Sequence, residues 1–304
     1  RTLAVNANST DFLKSLDLWK DLQLKSEPIK KIFISDYVNK KKLIFNHEPE
    51  HMGNIIFNKE LLLNARKKLQ SKKSILLNVN LPISKINKDN KILINNKFYA
   101  FKKVIISAGK NFDSKFIQKK SFDQGHFSFV GFFKHSKNHN NFAYEIFTKT
   151  GPLAVLPAPH KNKLYSTFIY STKINLNLSE LKNLIKKNFS KSHGEIKFQK
   201  NINFFKLSPH ISIPNNKNFL ILGDSLRSIH PVAGQGWNLG IKDIQTISKV
   251  LDLYSLDDPN LDSIYFSRRL IESTLFLNFT TILNYLYEEE NNLKKTIIRL
   301  GFKL

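Results

Sequence analysis

The 304-residue chain contains no cysteine. That excludes disulfides, thiolate nucleophiles and thiolate zinc sites, so its chemistry must rest on other side chains or on a bound group. No run of eighteen or more apolar residues occurs, and no basic stretch followed by an apolar one opens the chain, so neither a membrane-spanning helix nor a signal peptide is expected. The expected location is therefore the cytoplasm. Acidic residues are scarce, 24 against 48 Lys and Arg, and leave a net charge of +24. Such a charge ordinarily points to nucleic acid or an anionic membrane. Here Lys, Asn, Ile and Phe recur in every part of the chain, and no basic helix or aromatic-basic motif stands out. The charge therefore reads as solvated surface, with no nucleic-acid partner expected and a weaker leaning toward a membrane face.

With 41 % apolar residues the chain can bury a large core, and its length suits two domains. "NSTDFLKSLDLWKDLQ" places Phe12, Leu16, Trp19 and Leu22 at helical spacing behind the cap candidates Ser9, Thr10 and Asp11. "IKKIFISD" and "KKLIF" read as strands, and Asn58 is a cap candidate for the helix "KELLLNARKKL". "SILLNVNL", "KILINN", "KFYAF" and "KVIISAG" then read as a small meander closed by a buried strand, with turns at Asp89-Asn90 and Asn95-Asn96. From 121 to about 210, longer alternating segments and one helix, "SELKNLIKKNF", predict a mainly antiparallel sheet. "NFLILGD" is short and wholly apolar, as a strand buried on both faces would be, and the remainder is helical to the end.

Glycine is also scarce, 11 in all, yet Gly223, Gly234, Gly236 and Gly240 fall within "GDSLRSIHPVAGQGWNLGIKD". A buried strand would deliver Gly223 and Asp224 at its carboxyl end, where open α/β sheets bind ligands. Glycines let a backbone approach a flat or phosphorylated ligand, and a helix starting near Gly236 would present free N–H groups. The plainer alternative is an ordinary strand, loop and helix with Asp224 as a cap.

This stretch closely resembles the second flavin-binding motif of the single-component FAD-dependent aromatic hydroxylases, and "HPVAGQGWNLG" is most similar to the branch acting on ubiquinone precursors. "RTLAVNANSTDFLKSLDLW", "PIKKIFISD" and "FTKTGPLAVLP" resemble further family segments in order and spacing, as do the final helices. The resemblance implies an α/β fold: a Rossmann-like FAD-binding domain of the p-hydroxybenzoate hydroxylase type, interleaved with a mainly antiparallel β-sheet substrate domain and followed by C-terminal helices. Residues 1–27, 58–120 and 211–256 are assigned to the FAD domain, 28–57 and 121–210 to the substrate domain, and 257–304 to the C-terminal helices. The family's N-terminal GxGxxG unit would precede Arg1. In the segment "GKNFDS", Lys110 and Asn111 stand where the family has Asp and Gly, and Arg227 stands where it often has His.

The resemblance implies FAD as cofactor and NAD(P)H as a transient co-substrate. Gly223 and Asp224 would serve the ribityl and phosphate region, and Pro231, Gly234, Gln235, Gly236, Trp237 and Asn238 would wrap the isoalloxazine ring. Trp237 has core packing as its alternative. Arg1 resembles the family's flavin-side arginine. His230 and Pro231 are the nearest candidates for a catalytic role, with simple hydrogen bonding the alternative for His230, and Phe147 and Leu153 are candidates for an apolar substrate pocket or for sheet core. His135 and His139 have i, i+4 spacing, but in the polar stretch "KHSKNHNN", with no carboxylate partner, no metal site is expected. The implied reaction is hydroxylation of a polyprenyl phenol by O2 through a flavin C4a-hydroperoxide, peripheral to the inner membrane face or within a quinone-synthesis complex. The alternatives are hydroxylation of a small soluble aromatic and a flavin-binding inactive accessory subunit.

Overall fold

The computed structural model describes residues 1–39, 42–46, 52–73, 75, 85–86, 91–94, 96–110, 117–122, 125–214, 219–231, 234–288 and 291–301. Strand β1 (Thr2–Asn6) leads into helices α1 (Ala7–Ser15) and α2 (Trp19–Gln23), followed by β2 (Glu27–Ile29), β3 (Lys31–Asp36), β4 (Leu43–Asn46), β5 (Gly53–Phe57) and helix α3 (Asn58–Gln70). Next come β6 (Lys85–Ile86), β7 (Lys91–Ile94), β8 (Lys97–Ala100), β9 (Val104–Ile106), β10 (Ile117–Ser121), β11 (Phe127–His135), β12 (Phe142–Thr148), β13 (Gly151–Pro157) and β14 (Tyr165–Thr172). Helix α4 (Leu178–His193) precedes β15 (Ile196–Phe198), β16 (Asn203–Lys206), β17 (His210–Pro214) and β18 (Phe219–Ile221). A 3-10 turn at Gly223–Ser225, β19 (Arg227–Ser228) and helices α5 (Gln235–Leu251), α6 (Leu261–Glu288) and α7 (Asn292–Gly301) complete the order.

The predicted antiparallel sheet is present, ordered β15-β11-β14-β13-β12-β3-β4, with β16 also pairing β11. One junction departs from antiparallel: β3 lies parallel to β12, with Ile34 opposite Glu145. Helix α4 seals one face, packing Leu181, Ile185 and Phe189 onto Phe133, Leu153, Val155 and Phe168. It starts at a capping box in which Asn177 accepts from the Glu180 backbone and the Glu180 carboxylate accepts from the Asn177 N–H.

A second region carries a parallel pair, β9 beside β18, and two small antiparallel sheets ordered β1-β5-β2 and β10-β17-β19. The structure corrects the sequence reading in several places. The first helix is two: its cap is Asn6, whose side chain accepts from the Ser9 N–H, and the chain turns at Asp17, φ 50°, before α2. That break puts Trp19 and Leu22 into a core with Leu3, Val5, Leu13 and Ile56, while Leu16 stays exposed. Asn58 is not a cap either; Phe57 precedes α3 without a side-chain cap bond. Strand β5 pairs with β1 and β2 rather than with the large sheet. Strands β6, β7 and β8 form the meander, but β9 leaves it for β18. The Asp89-Asn90 turn and Asn95 lie outside the described residues, as does the predicted strand over 74–81 except Ile75.

Candidate functional site

Strands β9 and β18 run parallel, with Val104 opposite Phe219 and Ile106 opposite Ile221, so their carboxyl ends fall side by side. Both strands are short because a turn-forming glycine follows each, Gly109 at φ 84° and Gly223 at φ 60°. The pair is prolonged by the Leu222 N–H donating to the Ile106 carbonyl at 2.9 Å. The two following turns are tied by the Ser225 hydroxyl, which donates to the Gly109 carbonyl at 3.2 Å. This is the carboxyl edge at which open α/β sheets place their ligands.

Helix α5 rides directly on the second turn. A Cβ on Gly240 would sit 3.6 Å from the Gly223 Cα, at van der Waals distance, so the helix lies close against the turn. The helix is entered through Gly234 in the left-handed region, φ 62°, and no side chain caps it. Its first-turn N–H groups are thus left for a ligand or solvent, at the positive end of the helix dipole. Gln235 and Gly236 are half-buried at this end, and a Cβ on Gly236 would meet nothing within 4 Å.

The turn is held from beneath by a buried charge cluster. Asp243 of α5, with no exposed surface, accepts from the Gly223 N–H at 2.8 Å, from the Arg227 Nη1 at 2.9 Å and from the Arg269 Nε at 2.7 Å. Arg269, on α6, also pairs with Glu272, which in turn meets Lys242. These partners hold the Glu272 carboxyl below its ordinary value even though burial alone would raise it. Tyr265 Oη donates to the Ile221 carbonyl at 3.0 Å and fastens α6 to β18; burial pushes its phenol pKa upward. Arg269 was not anticipated. Its signal was a charge on the inward face of α6, between Phe266 and Ser273, where helical period calls for an uncharged residue.

The anticipated cofactor residues divide by placement. The Asp224 side chain is exposed, while its backbone carbonyl lies 3.1 Å from His210 Nε2. Asn238 is turned away from the helix end: its Oδ1 accepts from the Asn6 N–H at 3.1 Å and its Nδ2 donates to the Ala4 carbonyl at 2.9 Å, stapling α5 to β1. Trp237 packs on the core of Leu3, Val5 and Trp19. Arg1 stands at the far end of β1, about 17 Å from Asn6 at 3.4 Å per residue. There it lines an open pocket of about 370 Å³ with Lys59, Leu62, Leu63 and Arg66. Lys110 donates to the Lys206 carbonyl at 3.3 Å, and Asn111 lies outside the described residues.

His230 is fully buried, and neither ring nitrogen has a hydrogen-bond partner among the described residues, contrary to the plain reading of a hydrogen-bonded core histidine. Its ring meets that of His126 edge-on at 4.6 Å, and burial pushes its pKa down to about 3. Pro231 is half-buried beside it, and Val232 and Ala233 lie outside the described residues. The substrate-pocket candidates are both packed in. Leu153 has no exposed surface and belongs to the core under α4, and Phe147 stacks on Tyr287 of α6 at 4.2 Å.

His135 ends β11 and His139 lies in the segment between β11 and β12, but neither is a surface residue. Both are 2 % exposed, and His193 of α4, 1 % exposed, joins them with its ring 4.8 Å from that of His135. Burial lowers the His139 pKa to about 4 and the His193 pKa to about 3. Among the described residues no group of three or more ligating side chains is arranged to hold a metal ion.

Over 99 % of its length the chain superposes on 83 % of p-nitrophenol 4-monooxygenase PnpA from Pseudomonas putida, with a TM-score of 0.76 at 12 % identity. The chain has the flavin monooxygenase fold. PqsL, a probable FAD-dependent monooxygenase from Pseudomonas aeruginosa, superposes with a TM-score of 0.72 at 13 % identity, covering 95 % of this chain and 87 % of its own. In sequence, the ubiquinone biosynthesis monooxygenase COQ6, mitochondrial, of Schizosaccharomyces pombe is 24 % identical over 214 residues, 53 % of this chain and 44 % of that protein. The chain thus matches less than half the length of this curated relative. No family model matches it. The mixed α/β architecture with a mainly antiparallel sheet and C-terminal helices agrees with the monooxygenase fold expected from the sequence.

The residues at the glycine turn fit a flavin. Gly240 lies close to the Gly223 turn, the side of Gly236 is open, and no side chain caps the start of α5. Beside them are buried nitrogens lacking partners among the described residues: both of the His230 ring, and Nε and Nη2 of Arg227. Native proteins rarely leave such groups unmatched. Among the described residues no helix is long and apolar enough to cross a membrane.

Proposed function

We propose that the chain is part of a FAD-dependent aromatic monooxygenase that hydroxylates a polyprenyl phenol in ubiquinone biosynthesis. The observation that carries this reading is the meeting of two strand-end turns under an uncapped helix, with Gly223 against Gly240. The exposed Asp224 carboxylate would accept hydrogen bonds from the hydroxyls of a ribityl chain. The first-turn N–H groups of α5, from Gln235 onward, would stabilise negative charge on the pyrimidine side of a flavin without a side-chain acid. Asn238 and Asp243 act one step back: one fixes the helix against β1, the other fixes the Gly223 turn against both arginines. The bound flavin would supply NAD(P)H-driven activation of O2 and insertion of one oxygen atom into an electron-rich ring.

The likeness to PnpA favours a second reading, a hydroxylase of a small soluble aromatic. Product analysis with a prenylated phenol against simple hydroxybenzoates separates the two. The family reading itself is tested by the visible absorbance of the purified full-length protein and by flavin titration. Oxidised flavin bound to the protein, with affinity lowered about tenfold or more by Asp224→Ala, is expected from the loss of a charge-assisted hydrogen bond. A protein that stays colourless in added FAD refutes the reading.

A further inference from the structure

We infer that the outer face of α6 is a self-association surface that pairs with α6 of a second copy of this chain in antiparallel orientation. The inference stands on the surface of the fold and is independent of the flavin chemistry. Five large side chains form the stripe: Ile271 is 67 % exposed, Leu275 64 %, Phe279 59 %, Ile282 56 % and Tyr285 60 %. Their spacings of four, four, three and three residues put them on one helical face. The opposite face is committed to the protein, with Tyr265, Arg269, Ser273, Leu277, Thr280 and Tyr287 buried. The stripe is therefore left over after the core is satisfied, and α7 also exposes apolar side chains, Leu293 at 69 % and Ile297 at 45 %.

Charge decides between occupants. The chain carries 48 Lys and Arg, yet between Glu272 and Glu288 α6 has no charged residue at all. A helix made for an anionic lipid surface sets Lys and Arg beside its apolar stripe. Here the stripe is flanked instead by Thr274 and Asn278, both exposed and neutral. For a molecule of net charge +24, like charges would oppose pairing wherever they met; along α6 between Glu272 and Glu288 they are missing, and at the end of the stripe the Lys294 ammonium lies over the Tyr285 ring, 3.7 Å from its centroid.

The stripe is also nearly symmetric about its own midpoint. Ile271 and Tyr285 lie seven residues to either side of Asn278, and Leu275 and Ile282 lie three and four residues away. A two-fold axis through Asn278 would bring Ile271 of one copy to Tyr285 of the other and Leu275 to Ile282, the reciprocal contacts that an isologous interface requires. At roughly 100 Å² of exposed surface per side chain, the five residues of both copies would bury about 1,000 Å², the lower limit for a specific interface.

Sedimentation velocity on the full-length protein across a wide concentration range tests the state. A dimer is expected, and Phe279→Lys should raise its dissociation constant by at least ~30-fold, the effect of losing a central interface residue. Because Phe279 is exposed, the substitution leaves the core intact, which far-UV circular dichroism checks. The absence of native cysteine supplies a geometric test. Asn278→Cys, next to the axis, should cross-link two copies on oxidation. Arg268→Cys should not, since its two copies would stand about 30 Å apart at 1.5 Å per residue. A monomer at every concentration, a dimer indifferent to Phe279→Lys, or equal cross-linking of both cysteine variants overturns the inference. A monomer that floats with anionic vesicles also overturns it and assigns the face to lipid.

Discussion

Replacing Asp243 by alanine removes the one carboxylate that both buried arginines and the Gly223 turn share. Arg227 is 3 % exposed and pairs with Asp243; Arg269, 1 % exposed, keeps Glu272. Deleting one partner of a buried pair leaves an uncompensated charge and costs about 3–5 kcal/mol. The Gly223 N–H, which donates to Asp243 at 2.8 Å, loses its acceptor as well. We take about 4 kcal/mol as the expected loss; at roughly 2 °C per kcal/mol for a chain of this size, the melting midpoint should fall by about 8 °C. Urea denaturation followed by circular dichroism measures the loss, and flavin titration of the folded fraction measures the displaced turn. Removing both charges should be gentler than removing one, so Arg227→Met added to Asp243→Leu is expected to recover at least about half of the loss. A cost below about 1 kcal/mol for Asp243→Ala, or a double variant weaker than Asp243→Leu alone, refutes the reasoning.

The remaining predictions concern the histidines and two further positions. His139 and His193 are held neutral, with pKa values pushed down by burial to about 4 and about 3. The unfolded chain binds protons near pH 6.5, so between these limits it holds more protons than the fold. Stability should therefore be full above about pH 6.5 and fall on acidification, by up to about 1.4 kcal/mol per pH unit for each ring, levelling only below pH 3 to 4. Denaturation midpoints at neutral and mildly acid pH check this. His193→Phe, placed among Phe133, Tyr144 and Phe189, should flatten the slope, and an unchanged slope would rule the ring out. Gly151→Ala would bring a Cβ to 1.9 Å from the Ser171 carbonyl at φ 133°, and should destabilise the β12–β13 turn by at least about 3 kcal/mol in thermal melts. Asn238→Ala breaks both staples to β1 and should cost about 2 kcal/mol while loosening flavin binding; retention of full stability would show that the helix is held otherwise.

Local order was largely legible because it is written at short range. Asn177 and Glu180 stand three residues apart before an amphipathic run, and α4 begins there. The alternation in "HFSFVGFF" and "KLYSTFIYST" became the neighbouring strands β11 and β14. The concentration of four scarce glycines in one stretch marked the turn above β18 and the entry to α5. Where the reading failed, the competing signal was tertiary. The first helix has unbroken periodicity through Leu16 and Trp19, yet the left-handed turn at Asp17 buries Trp19, because the core beneath Leu3 and Ile56 accepts the ring only after the break. The bonds of Asn238 to strand β1, whose Asn6 lies 232 residues away from it, were likewise not legible in the sequence.

Composition and periodicity alone thus indicated a cysteine-free chain with a mainly antiparallel sheet, a buried strand ending in Gly-Asp, and a glycine-rich helix entry, while the α/β fold came from the family resemblance. These features follow from side-chain period and backbone freedom, which neighbouring residues specify among themselves. Only the tertiary structure decided that Asp243, Arg227 and Arg269 meet, that His193 completes a buried trio with His135 and His139, and that α6 keeps an apolar face outside. A charge in a helix can be read from the chain, but its partner cannot. Burial removes the water that would otherwise solvate it, and the residue that replaces that water is chosen by how distant segments pack.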